Sequence, residues 1–149
     1  MKHKKEEVTV YADLNGWRVN GGTVPPDLAL TEQIPDLVII DKSTAPTKVV
    51  LLELTVPWDS SNAFQAAFDK KTERYERLAD DLKRKGCTTH NISLEVGCRG
   101  VINFWNHGVL GNLAALVGLR GLQKLKGTLG RIALLGSYRI WLTRKTTEQ

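Results

Sequence analysis

At 149 residues, with 42% hydrophobic and 25% charged side chains, the chain can bury one substantial core, and its composition excludes a fibrous or disordered protein. Two cysteines, Cys87 and Cys98, are too few and too far apart for a disulfide framework or a zinc knuckle, and fit unpaired thiols in a reducing, intracellular compartment. The net charge of +5 is unevenly spread: residues through Glu95 carry 13 basic and 15 acidic side chains, whereas Val96 onward carries eight basic and one acid, Glu148. Such asymmetry within one domain favours a polyanionic partner.

Met1–Glu7 is charged throughout, so it is no signal peptide and reads as a frayed, disordered start, as an internal domain of a longer polypeptide begins. Val8–Tyr11 and Gly16–Val19 are short strand candidates, followed by a loop punctuated by Asn20-Gly21-Gly22 and Pro25-Pro26. Asp27 is either a plain turn residue or the cap of a short helical turn over Leu28–Thr31.

Residues 36–40 and 48–56 are rich in β-branched side chains and flank a polar, Pro-containing turn, Asp41 to Thr47. They read as neighbouring strands of a hairpin. In the second strand Val49, Leu51, Glu53 and Thr55 share one face, and Val50, Leu52, Leu54 and Val56 the other. Both faces are largely apolar, so both are expected to be covered. Glu53 therefore needs a cation, a metal or a proton beside it. Asp36 stands at the mouth of the preceding strand, and two carboxylates converging there form an oxygen-rich site suited to a hard divalent ion.

Pro57 ends the strand, and Asp59-Ser60-Ser61-Asn62 offers several helix caps. A helix is predicted from about Ser61 to Lys85, closed by Gly86. Phe64, Phe68, Lys71, Tyr75, Leu78 and Leu82 step by four, three, four, three and four, and so share a face. Lys71 is the one charge in that stripe. Either its stem lies on the core with the ammonium in water, or it delivers the ammonium to Glu53 and Asp36. In the second reading Lys71→Met keeps the packing stem, deletes the charge and is expected to melt normally.

Asn91–Val96 is a further strand, leading into Gly97-Cys98-Arg99-Gly100. That segment is either an ordinary tight turn or a phosphate-approaching loop in which backbone and the Arg99 guanidinium act together. From Val101 the pattern is helical and basic, interrupted by glycines, with helices around Leu110–Lys124 and Leu129–Arg144. Asn103, Asn106, His107, Asn112 and three glycines disqualify Val101–Leu119 as a membrane span.

Pro35-Asp36, sixteen intervening residues and Glu53-Leu54-Thr55 resemble the PD-(D/E)XK, restriction-endonuclease-like nuclease superfamily. The pattern departs from the superfamily where its lysine, two places after the Glu, is Thr55. Lysines relocated to a neighbouring helix are a known variation there, which raises the second reading of Lys71. The run Glu53 to Asp59, then Lys71, Arg74-Tyr75 and Leu78, then Glu95 to Gly100, also resembles the endonuclease-like region that follows the polymerase in animal retroelement reverse-transcriptase polyproteins, over roughly residues 8–143.

The expectation is a single α/β domain over residues 1–149: a central mixed sheet of four or five strands flanked by helices, restriction-endonuclease-like, with residues 101–149 helical and basic. The resemblance implies Mg2+- or Mn2+-dependent cleavage of DNA. Asp36 and Glu53 would hold the ion, Lys71 would orient water or stabilise charge, and Arg99, Lys124, Arg131 and Arg139 would hold the DNA backbone. It also implies an intracellular, nuclear setting and a polymerase domain upstream in the same polyprotein, with no membrane partner. The alternatives are a nuclease fold that binds nucleic acid without cleaving it, favoured by Thr55, and a protein-interaction domain whose basic face a partner subunit covers.

Overall fold

The computed structural model describes residues 8–14, 17–19, 24–102, 104–118 and 120–146; the expected disordered start at 1–7 and Glu148 lie outside them. The fold is α/β. Strands β1 (Val8–Leu14), β2 (Trp17–Val19), β3 (Leu37–Asp41), β4 (Lys48–Thr55) and β5 (Thr88–Glu95) form one sheet in the order β2-β1-β3-β4-β5. Helix α1 (Ser61–Arg84) joins β4 to β5, and α2 (Phe104–Val117) and α3 (Leu122–Thr146) follow. Neighbours from β2 to β4 are antiparallel. At β5 the Thr88 N–H donates to Thr47 O and the Val96 N–H to Thr55 O, so β5 runs parallel to β4 and the sheet is mixed. A helical crossover between two adjacent parallel strands is the connection that such pairing requires.

The chain divides into two compact units, one of Met1–Glu53 and Lys70–Ser93, the other of Leu54–Asp69 and Leu94–Gln149. In the first, Val38, Ile40, Val49 and Leu51 from the sheet pack with Tyr75, Leu78, Ala79 and Leu82 of α1, joined by Val24 and Ala29. Each such large side chain contributes roughly 1.5–3 kcal/mol by leaving water. The apolar stripe predicted for α1 is the buried one: Phe64, Tyr75, Leu78 and Leu82 are buried, with Phe68 and Lys71 half-buried.

The start and stop of α1 follow local chemistry. Ser60 caps it, its hydroxyl accepting from the Ala63 N–H at 3.3 Å. At the other end the Cys87 N–H donates to Leu82 O (3.1 Å) and the Gly86 N–H to Lys83 O (2.9 Å), the paired bonds of a glycine-ended helix. Asp27 takes the plain reading: the Leu28 N–H donates to Pro25 O in a turn, and no helix follows.

Two boundaries differ from the sequence expectation. Strand β5 begins at Thr88 and not at Asn91, because its pairing starts level with the first residue of β4 despite the polar Thr88-Thr89-His90. The two C-terminal helices end and begin at Val117 and Leu122, and not after Lys124. Gly118 and Gly121 adopt positive φ (66° and 82°), which stops a helix, whereas Gly127, Gly130 and Gly136 sit inside α3.

Candidate functional site

The site in the first unit is set by strand register. Leu37 pairs with Leu52, so one further step places Asp36 opposite Glu53, and side chains directly opposite in an antiparallel pair share a face about 5 Å apart. The Asp36 N–H donates to Glu53 Oε1 at 3.1 Å, which fixes the two residues together. Glu53 is 3% exposed. Lys71, carried inward on the α1 stripe, donates its ammonium to Glu53 Oε2 at 2.5 Å. Asp36, Glu53 and Lys71 therefore come together in the structure.

Sequence reading missed the part Tyr75 plays, because a tyrosine in an apolar stripe reads as packing alone. Its ring is fully buried and its hydroxyl donates to Ile34 O at 3.1 Å. One residue earlier, Arg74 O accepts from Gln33 Nε2 at 2.6 Å. Together these bonds fasten residues 33–34 to α1, and so position Pro35 and Asp36. Burial raises the Tyr75 phenol well above its ordinary range, and the Glu53 carboxylate raises it further.

That shift predicts an alkaline weakness. A phenol whose folded pKa is raised contributes stability that is fully present below the unfolded value of about 10 and is lost as pH rises from there toward the raised folded value. Stability is therefore expected to fall above about pH 10, and urea unfolding of Tyr75→Phe is expected to be flatter there. At neutral pH the variant is expected to lose about 1 kcal/mol with its hydrogen bond. Parallel pH profiles for the two proteins would remove Tyr75 as the cause.

Two carboxylates make only part of a metal shell, and among the described residues no group of three or more His, Cys, Asp and Glu side chains is placed to hold an ion. The donor chemistry nevertheless fits Mg2+ or Mn2+: hard oxygens, few in number, of the kind that bind through one or two carboxylates while water and substrate phosphate complete the shell. Two places along β4, where the nuclease pattern has its lysine, Thr55 buries a hydroxyl that has no hydrogen-bond partner.

No protein-family model matches the chain, and no curated protein matches it.

In the second unit Arg99 is not a loose phosphate ligand. Asp59 Oδ2 accepts from the Arg99 backbone N–H (3.0 Å) and from its Nε (2.7 Å). The Cys98 N–H also donates to Pro57 O, so the turn over residues 97–100 is clasped to the segment before α1. Gly97 is the clue in the sequence, since a Cβ there would stand 1.5 Å from Asp59 Oδ1. The Asp59 carboxylate, with its side chain 4% exposed, holds the Arg99 guanidinium firmly protonated. The rest of that guanidinium faces solvent, its side chain being 67% exposed.

Lys124, Arg131 and Arg139 are exposed on α3, and steps of seven and eight residues keep them on one side of a helix. Helix α3 contains no acidic residue. Its surface is also apolar: Leu134, Leu135, Tyr138 and Trp141 are about half exposed, and the last two rings stack at 5.9 Å. Among the described residues no helix is long and apolar enough to cross a membrane.

Proposed function

We propose that the protein is a metal-dependent DNA endonuclease domain of a retroelement type. The observation that carries this reading is the pairing of the Lys71 ammonium with Glu53, whose strand neighbour Asp36 lies opposite, in a sequence whose nuclease pattern has Thr55 in place of its lysine. Asp36 and Glu53 would hold a divalent ion, which when bound activates water and stabilises charge on the leaving oxygen. Lys71 directs its ammonium toward the phosphate undergoing attack and offsets negative charge as it develops. Tyr75 keeps Asp36 in place, and burial of Glu53 keeps its carboxylate rigid. The partner is DNA, with a polymerase domain of the same polyprotein as a second one, and the setting is intracellular and nuclear.

A specific observation favours the rival reading of a nucleic-acid-binding module without activity. Both oxygens of Glu53 already have protein donors, and Thr55 supplies no charge. Supercoiled plasmid incubated with Mg2+ or Mn2+ separates the two: nicking that vanishes in Asp36→Asn and Glu53→Gln supports the enzyme, and DNA retention without nicking supports the module.

DNA retention itself is predicted to be steeply salt-dependent, since every charged side chain of α3 is basic. Replacing Lys124, Arg131 and Arg139 with Gln is expected to flatten the slope of log affinity against log salt by about 3, at roughly 0.9 per phosphate contact. Fluorescence anisotropy with a labelled duplex measures it. An unchanged slope would take α3 out of the DNA interface.

A further inference from the structure

Both oxygens of Glu53 already accept from protein donors, one of them cationic. Oε1 accepts from the Asp36 N–H, Oε2 from the Lys71 ammonium, and at 3% exposure water does not stand in for either. A second cation drawn to Glu53 therefore meets the like charge of the Lys71 ammonium at Oε2, while Oε1 can keep its bond. The Lys71 side chain is 22% exposed against 4% for Glu53, so the lysine is the partner nearer to solvent. Its stem is flexible and its donors turn freely, while the backbone beneath it is fixed by α1 packing through Tyr75 and Leu78.

We propose that Lys71 is a latch that couples metal to substrate: it occupies Glu53 in the free protein, and swings to a DNA phosphate so that Asp36 and Glu53 become available to a divalent cation. The proposal rests on the nuclease reading and concerns the order in which that site is assembled. Charge drives the exchange. With the latch closed, the Lys71 ammonium offsets the charge of Glu53 and weakens its attraction for a divalent ion. With Lys71 on a phosphodiester, held by a charge-assisted bond, both carboxylates face the ion. Opening without a replacement cation strands buried charge, so the ammonium leaves only as the ion arrives. Metal and DNA then tighten each other by the same factor, as linkage requires.

The test is Mn2+ titration of the full chain, following the free-ion paramagnetic resonance signal, with and without a short duplex kept intact at low temperature. Glu53→Gln with duplex gives the uptake by DNA alone. Wild type is expected to bind Mn2+ weakly when free and about tenfold more tightly with DNA, within the usual range for coupled sites. Lys71→Met is expected to bind Mn2+ about tenfold more tightly than wild type without DNA, and to gain nothing more from the duplex. Its melting temperature is expected to rise with Mn2+ by more than that of wild type or Lys70→Met. The wild-type arms decide the matter even where Lys71→Met folds poorly, because reciprocity requires Mn2+ to tighten DNA by the same factor. Tight Mn2+ binding by free wild type, with nicking intact, overturns the latch and leaves the nuclease reading standing. No uptake above Glu53→Gln in any arm overturns both.

Discussion

Lys71→Met is expected to destabilise the protein by about 3–5 kcal/mol, the usual cost of removing one partner from a buried ion pair. The sequence alone suggests no such loss, because Met reproduces the packing stem of the lysine. The structure changes the expectation, since Glu53 is 3% exposed and its Oε2 depends on the Lys71 ammonium. Lys71 is more exposed than Glu53, so the two single variants are unequal. In Glu53→Gln the freed ammonium can reach water, and the amide oxygen can still accept from Asp36, so a loss of about 1 kcal/mol is expected. The double variant removes both charges and should recover most of the Lys71→Met deficit. Urea unfolding of the four proteins in a double-mutant cycle, free of divalent ions, measures the coupling. Lys70 lies on the exposed side of α1, and Lys70→Met should behave as wild type. A Lys71→Met protein as stable as Lys70→Met would mean that the pair holds nothing.

The site residues that were legible from sequence were those whose placement follows a period. Strand alternation put Glu53 on the face that α1 covers, and the symmetric spacing of the two runs about the turn put Asp36 at the matching end. Helical stepping then put Lys71 in the buried stripe. What could not be read depends on contacts between segments distant in sequence. Tyr75 reaches Ile34 across 41 positions and Arg99 reaches Asp59 across 40, and neither hydroxyl nor guanidinium advertises its partner locally. Gly97 was visible, but a glycine beside an arginine reads equally well as a flexible phosphate loop or as room for a carboxylate. The same ambiguity misplaced the helix break. Seven glycines follow Glu95 within the helical region, and a pattern of apolar residues does not distinguish Gly118 and Gly121, which turn the chain, from Gly127, Gly130 and Gly136, which the helix absorbs. Packing explains one of them, since a Cβ on Gly130 would meet Gly100 O at 2.7 Å.

Glu53→Gln should abolish metal-dependent nicking while the protein remains folded. Gln keeps the shape of the side chain and an oxygen for the Asp36 N–H, so the register of β3 and β4 is preserved. It removes the negative charge that a divalent ion needs, and a neutral amide is a poor ligand for a hard cation. The stabilisation such an ion gives a phosphodiester transition state is several kcal/mol, and each 1.36 kcal/mol is tenfold in rate. The loss should thus be on the order of 10^3-fold, measured as the first-order rate of plasmid nicking at saturating Mn2+. Asp36→Asn should fall comparably, because its carboxylate stands opposite Glu53 and belongs to the same pair. Neither change touches α3, so duplex affinity measured without divalent ions should not fall by more than about twofold for either, as expected when phosphate contacts dominate affinity. The contrast between lost nicking and retained binding is what the catalytic assignment requires. Nicking that survives in Glu53→Gln at more than a tenth of the wild-type rate would leave Glu53 as a structural partner of Lys71 and nothing more.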